Sequence, residues 1–388
     1  MRKSKKPVKT QPATDKEFER LYHTIPAHPS SGVPSPGKER PPTKPKWKRV
    51  VKRTLIILML LVVLSGLWLG WKFVSNGVKI FGWDGLWDLF TTRELKGEDQ
   101  GRVNILLAGN SVDDAGHEGA ALTDSIMLIS INTKQRSGYI LSIPRDLYVD
   151  IPGSGFAKIN ETYQDGQQAH AREPGYPIGG MGLLEKTVSE HFGLKIHYYA
   201  LVSYTALQEA VDAVGGVQVT IRSTDPRGLY DPSPDLQHGR KPLVDLPNGT
   251  VTLDGVAALN LARARGNAPR AYGYGLGDFT RTENQRALLL GLKNKATSMG
   301  TLSNPVKLGE LFDSMGNNVT TDFKAGELRR LYNLSKEIPG SGLASVSLNN
   351  ADGVNLLQNY RTRNGQSALV PAAGVEDYTA IRDYLRSL

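Results

Sequence analysis

The chain has 388 residues, no cysteine and a formal net charge of +9, so disulfides, thiolate metal sites and a thiol nucleophile are excluded. The charge is unevenly placed: residues 1–53 hold 15 Lys and Arg against 4 Asp and Glu, net +11, which leaves −2 for the other 335 residues (+9 less +11). The remainder therefore lacks the basic surface of a nucleic-acid-binding domain, and a partner of that class is not expected.

Residues 1–53 also carry 9 of the 22 prolines and no apolar periodicity, the composition of a disordered tail. Thr54 to Trp71 follows, 18 residues without a charge, extended past Lys72 by Phe73 and Val74. This length spans a bilayer as a helix. Lys44, Lys46, Lys48, Arg49, Lys52 and Arg53 precede it, and Trp68 and Trp71 close it. That flank predicts a single-pass anchor over 54–74 with a cytoplasmic N-terminus and an extracytoplasmic remainder. A cleaved signal peptide would have a shorter leader and a small-residue cleavage site. Residues 75–100 read as a linker.

From Gly101 short apolar runs alternate with helical segments. Asn104–Ala108, Ser125–Asn132 and Gly138–Ile143 read as strands, the first two nearly all apolar and so covered on both faces. Met181–Phe192 and Tyr204–Val214 have helical spacing; the second stops at Gly215 and Gly216 and gives way to the alternating strand Val217, Val219, Ile221. A helix from Asp254 is expected to end near Leu261. Another is expected from Thr280, with Thr280 and Glu283 as a capping box. The pattern predicts an α/β class, an α/β/α sandwich around a central mixed sheet over 101–300. Residues 301–388 read as a continuation or an appendage of that domain.

Common nucleophile motifs are missing: there is no G-x-S-x-G, no P-loop, and no His pair at ligand spacing. His191 and His197 read as surface or satisfied core residues. What remains is arginine and aspartate at segment ends. Arg145, in Ser142-Ile-Pro-Arg-Asp146, follows a buried strand, where α/β proteins gather ligands. It reads equally as a phosphate clamp or as half of an Arg–Asp pair closing a turn. Arg263 and Arg265 would project together from an extended segment, or else decorate a solvated helix end. Arg281 and Gln285 share a helix face near a positive N-terminus that favours an anion, with Asp278 placed to orient Arg281. Asp124 opens the second strand, and Asp113 and Asp114 precede it. Two carboxylates beside a diphosphate would hold Mg²⁺; alternatively they cap a turn or are solvated.

Taken in order, these segments resemble the LytR-CpsA-Psr family of cell-wall glycopolymer transferases. The resemblance lies in the anchor, Asn104-Ile-Leu-Leu-Ala-Gly109, Thr123-Asp124-Ser125, Ser142 to Asp146, Lys158-Ile159-Asn160, Tyr198-Tyr199 and Val214-Gly215-Gly216-Val217. It continues through Leu253-Asp254-Gly255 to Arg263 and Arg265, and through Asp278-Phe279-Thr280-Arg281 to Gln285. It implies an extracytoplasmic phosphotransferase that moves a glycopolymer, such as a teichoic acid or capsule polymer, from a polyprenyl diphosphate carrier to a peptidoglycan acceptor. By matching positions, Arg145, Arg263, Arg265, Arg281 and Gln285 would contact the phosphates, joined by Lys158. Asp124 would bind Mg²⁺, with Asp114 or Asp113 as second ligand. Leu122 stands where the family has an arginine, and Ser111 where it has an aspartate. Alternatives of other classes are a hydrolase of the same lipid-linked glycan and a non-catalytic wall-polymer binding protein. A transcriptional regulator is disfavoured because the basic tail is proline-rich and has no helix-turn-helix pattern.

Overall fold

A computed structural model describes residues 93–113, 121–172, 179–235, 238–239, 241–275, 277–298 and 318–388. The tail, the expected membrane anchor and Asp114 lie outside these residues. Among the described residues no helix is long and apolar enough to cross a membrane.

After residues 93–101 come three consecutive antiparallel strands, β1 (Arg102–Gly109), β2 (Ser125–Asn132) and β3 (Ser137–Ile143). A hairpin follows, β4 (Tyr148–Ile151) and β5 (Gly155–Lys158), and then the helices α1 (Thr162–Arg172) and α2 (Gly179–Phe192). Next come β6 (Tyr198–Val202), α3 (Tyr204–Ala213) and β7 (Val217–Ile221). The hairpin β8 (Leu229–Pro234) with β9 (Pro242–Leu246) leads to β10 (Gly249–Leu253), α4 (Gly255–Arg263) and α5 (Asp278–Ser298). The chain continues with β11 (Val319–Thr321), α6 (Ala325–Glu337), β12 (Leu343–Ser347), β13 (Leu357–Arg361), β14 (Ser367–Pro371) and α7 (Thr379–Ser387).

The central sheet runs β11-β6-β1-β2-β3-β12. It is mixed: β6 is parallel to β1 and β12 to β3, while the other neighbours are antiparallel. Strand alternation divides its apolar side chains between two faces. Leu106, Ala108, Ile126, Leu128, Leu141 and Ile143 form one core with Met181, Leu184 and Val188 of α2. Val103, Ile105 and Ile131 form another with Phe323 and with Leu334 and Ile338 at α6. A third cluster joins α3, α4 and α5 to the β7–β10 pair. Helices on both faces explain why β1 and β2 read as continuous apolar runs.

The C-terminal third completes the sheet, since β11 and β12 are its two edges. Residues 93–100, expected as linker, are packed. Leu95 is 3% exposed in the cluster with Val103 and Phe323, and Arg330 Nε donates to Glu98 Oε1 at 3.0 Å. A single apolar residue has no periodicity to reveal it in sequence. Two helix boundaries also differ. α4 continues to Arg263, because Ala262 and Leu261 are both buried on the third cluster and the last turn stays bonded through Ala264 N to Asn260 O at 3.0 Å. α5 begins at Asp278 and not Thr280, whose own backbone N–H donates to Gly277 O at 3.1 Å. Thr280 and Glu283 therefore form no capping box. His191 and His197 are buried core residues; His197 Nδ1 accepts from Asn104 N at 3.0 Å.

Burial pushes the Glu98 carboxyl up, but the hydrogen bond and charge of Arg330 outweigh it and hold its pKa below the ordinary 4.5. A carboxyl with a folded pKa below its unfolded one stabilises above the unfolded value and loses that contribution as pH falls through the folded one. Arg330→Met is therefore expected to cost about 1 kcal/mol at neutral pH and to flatten the loss of stability below pH 4.5, as read by urea unfolding across pH.

Candidate active site

Asp124 stands between β1 and β2 and is held from behind. Thr123 donates to Asn160 O through its backbone N at 3.1 Å and its hydroxyl at 3.2 Å, and Asn160 N donates to Arg145 O at 3.3 Å. The Lys158-Ile-Asn160 segment thus joins the segment before β2 to the turn after β3. Arg145, delivered by that turn, is ion-paired to Asp124 Oδ1. Burial opposes its charge, but the Asp124 carboxylate, with Asp146 and Asp278, more than compensates and raises its pKa.

α4 carries Arg263 in its last turn. Ala264 leaves the helix in an extended conformation (φ −64°, ψ 134°). Arg265 then comes 4.0 Å from Asp124 Oδ2 and 3.9 Å from Asp278 Oδ1. The Arg263 guanidinium lies 5.3 Å from the centre of the Tyr204 ring at the start of α3, within cation–π range. Arg281, on the first turn of α5, is 3% exposed and donates from Nη2 to the Asp124 carbonyl at 3.2 Å and to Asp278 Oδ2 at 3.0 Å. Burial lowers its pKa, and Asp278 works against that. Gln285, one turn further on, donates to Ala262 O at 3.0 Å and accepts from Ser125 Oγ at 3.0 Å. Burial, then the nearby Asp124 charge, raises the Tyr204 phenol, which therefore stays protonated.

These groups stand at one end of a cleft of about 550 Å³. Its floor is Leu107, Met127, Ala200 and Val202 of the central sheet. Its walls include Leu207 and Ala210 of α3, Leu259 of α4, and Leu288 and Leu292 of α5. Asp124, Arg263, Arg265, Arg281 and Gln285 line it too. Such a cleft takes an elongated apolar chain with an anionic head.

Among the described candidates, Asp124, Arg263, Arg265, Arg281 and Gln285 line this cleft, and Arg145, Lys158 and Asp113 do not. Arg145 reaches it through Asp124, and Lys158 donates from Nζ to Asp146 Oδ1 at 2.8 Å. The Asp113 carboxylate is not on the cleft lining and accepts from Thr205 N at 2.6 Å and Tyr204 N at 3.3 Å, at the start of α3. Burial raises the Asp113 carboxyl, but hydrogen bonds from Thr205 and Ser203 outweigh it and lower its pKa. Among the described residues no group of three or more His, Cys, Asp or Glu gathers, and Asp124 is the only carboxylate on the cleft lining. Tyr204 and Ser125 were not singled out in sequence. A lone tyrosine carries no motif, and only folding brings it under Arg263.

With this α/β fold and arginine-rimmed cleft, the chain belongs to the LytR_cpsA_psr family, whose model matches residues 88–371. It is 35% identical over 234 residues to polyisoprenyl-teichoic acid–peptidoglycan teichoic acid transferase TagU of Oceanobacillus iheyensis, covering 60% of this chain and 63% of that one. It is also 35% identical over 223 residues to the probable cell wall biosynthesis protein LcpB of Corynebacterium glutamicum, covering 57% of this chain and 44% of that one. The match thus spans less than two thirds of either relative. The fold is shared with TagV of B. subtilis (TM-score 0.54, 20% identity, 74% of this chain and 97% of that one). It is shared too with TagT bound to LIIa-WTA (TM-score 0.53, 23% identity, 74% and 91%).

The buried Arg281 joins α5 to the Asp124 backbone and is itself paired with Asp278 at the start of the same helix. Arg281→Ala is expected to lower stability by about 1–3 kcal/mol, and Asp278→Asn by less, because Asp278 is partly exposed; urea unfolding of both variants measures the difference.

Proposed function

We propose that this protein transfers a phosphoglycan from a polyprenyl diphosphate carrier to a sugar hydroxyl of peptidoglycan. The observation that carries this reading is the apolar cleft of about 550 Å³ with Arg263, Arg265 and Arg281 at one end. An isoprenoid is a continuous apolar chain ending in a diphosphate, and the cleft offers both environments in that order. The names of relatives such as the Oceanobacillus TagU agree with this donor and acceptor. The expected 54–74 anchor would place the cleft beside the membrane that holds such a lipid.

The residues account for the chemistry as follows. Arg263 and Arg265 would clamp phosphate oxygens, with Gln285 adding a neutral hydrogen bond. Bound phosphate would compete with Asp124 for Arg145 and Arg265, so the carboxylate that gathers these cations in the free protein would give them up to the substrate. The acceptor hydroxyl attacks the phosphorus next to the glycan. A new oxygen–phosphorus bond forms and the bond to the bridging oxygen breaks; polyprenyl phosphate leaves, and the hydroxyl proton passes to it or to solvent. Preorganised positive charge lowers this barrier by stabilising the negative charge that develops on the bridging oxygen. No covalent intermediate with the protein is required.

Mg²⁺ fits this donor set as an ion shared with substrate. Asp124 would supply the protein carboxylate and the diphosphate and water the other oxygens, the usual arrangement for this cation. It would neutralise phosphate charge. The second protein ligand expected from sequence, Asp114, lies outside the described residues.

The test is incubation of the full chain with lipid-linked glycan, Mg²⁺ and peptidoglycan fragments, with mass spectrometry of the products. A glycan-phosphate-peptidoglycan adduct is expected; free phosphoglycan alone would show a hydrolase, and unchanged donor a binding protein. Arg263→Ala and Arg265→Ala should each slow transfer by roughly 10²–10³-fold, the range for removing one charge-stabilising donor. Ala210→Trp, which fills the cleft far from the phosphates, should weaken binding of long-chain donors and spare short-chain ones. Activity in EDTA equal to that in Mg²⁺ would remove the cation from the mechanism.

A further inference from the structure

The hairpin of β4 and β5 has two unlike faces. Val149 and Ile151 point inward and are fully buried, so alternation turns Tyr148 and Asp150 outward, together with Phe156 and Lys158 opposite them. Phe156 is 48% exposed. One exposed apolar residue needs no explanation, but this one belongs to a row. The Tyr148 and Phe156 rings stack with centroids 5.6 Å apart, and Tyr360 of β13 continues the row 5.6 Å beyond Tyr148. Asn359 and Arg361, both exposed, flank Tyr360 on its strand.

This row leads into the active site. Lys158, paired across the hairpin with Tyr148, donates to Asp146 Oδ1 at 2.8 Å. Asp146 Oδ2 lies 3.7 Å from Arg145 Nε, and Arg145 holds Asp124. β14 is fastened at the same point, where Leu369 N donates to Asp146 O at 2.9 Å. Lys158 therefore stands between the aromatic row and the phosphate site and outside the apolar cleft.

We propose that the Tyr148–Phe156–Tyr360 face is a glycan-binding platform that guides the acceptor strand of peptidoglycan to Arg145 and Asp124. The choice of a polysaccharide rests on the transfer reading above and on the chemistry of the face. Pyranose rings present flat C–H faces that stack on aromatic rings, and their equatorial hydroxyls bond to polar groups at the ring edges. The same face sets the Asp150 carboxylate and the Lys158 ammonium beside the rings, where sugar hydroxyls would bond. Its Lys158 charge is neutralised by Asp146, which suits a ligand recognised by stacking and hydrogen bonds. The face also meets a requirement of the reaction. A donor whose tail fills the cleft leaves the acceptor to arrive from solvent, and this aromatic face, with Phe156 exposed and Tyr148 and Tyr360 half-buried, continues towards the phosphate site.

The test is co-sedimentation of the full-length chain, in detergent, with sacculi stripped of teichoic acid. Phe156→Ala and Tyr360→Ala should each weaken sedimentation by about tenfold, the scale of losing one stacked aromatic contact, and Phe156→Trp should restore it. Binding of a short-chain prenyl diphosphate disaccharide should be unchanged in all three. Arg263→Ala should show the reverse, losing the diphosphate ligand and keeping the sacculi. Sedimentation of both alanine variants at the wild-type level would overturn the proposal. So would loss of binding to phosphatidylglycerol vesicles with sacculus binding intact, which would make this a membrane contact. A wild-type chain that sediments through these aromatics yet forms no transfer product would support the platform while the transfer reading failed.

Discussion

The site depends on Asp124. Arginines brought into one small volume repel one another, and in a partly buried setting that repulsion would splay them or open the elements that carry them. Asp124 counters this with three separate atoms. Its Oδ1 holds Arg145 from the β3 turn, its Oδ2 faces Arg265 from the end of α4, and its backbone carbonyl takes Arg281 from α5. Asp278 supports the same group from the α5 side. Three elements distant in sequence thus converge on one residue.

The remaining architecture serves this convergence. Two covered faces make the central sheet rigid, and the Thr123–Asn160–Arg145 backbone chain fixes the segment in which Asp124 sits. α5 docks through a second buried arginine: Arg286 Nη1 donates to Ser142 Oγ at 2.7 Å, so the helix that carries Arg281 is tied to the strand that leads to Arg145. Small residues do the opposite work. Ala200, Ala206, Ala210 and Ala262 leave space where larger side chains would close the layer, and the apolar cleft is the result. Burial lowers the pKa of Arg281, but a guanidinium starts so far above neutrality that its charge persists. A lysine in its place would be more easily neutralised.

The differences between sequence reading and structure have physical causes. The apolar strands were legible because covered sheets demand unbroken hydrophobicity, and α3 was legible because of its helical spacing and the two glycines that end it; its N-cap, Ser203, whose Oγ accepts from Ala206 N at 3.3 Å, was seen only in the structure. The ends of α4 and α5 were not legible. Both are decided by where buried neighbours stop, and Thr280 with Glu283 imitates a cap that the extra turn from Asp278 makes unnecessary. Asp113 had two readings, metal ligand or solvated group, and neither anticipated its bonds to the start of α3. Lys158 was grouped with the phosphate ligands, yet its partner is Asp146.

By itself the sequence determined the class of the protein. An uneven charge, one long apolar run and an ordered series of arginine- and aspartate-bearing segments are local properties, and the last of them specifies a member of this α/β family. Only the tertiary structure decided which of these residues share a site, because that depends on register and packing between segments up to about 160 positions apart; Ser125 bonded to Gln285 is one such pair. It also decided what no motif encodes: the space left between helices by small side chains, the tyrosine beneath Arg263, and the row of rings outside the cleft. Cavities and stacked surfaces belong to the arrangement of elements, and a linear pattern holds no record of the distance between them.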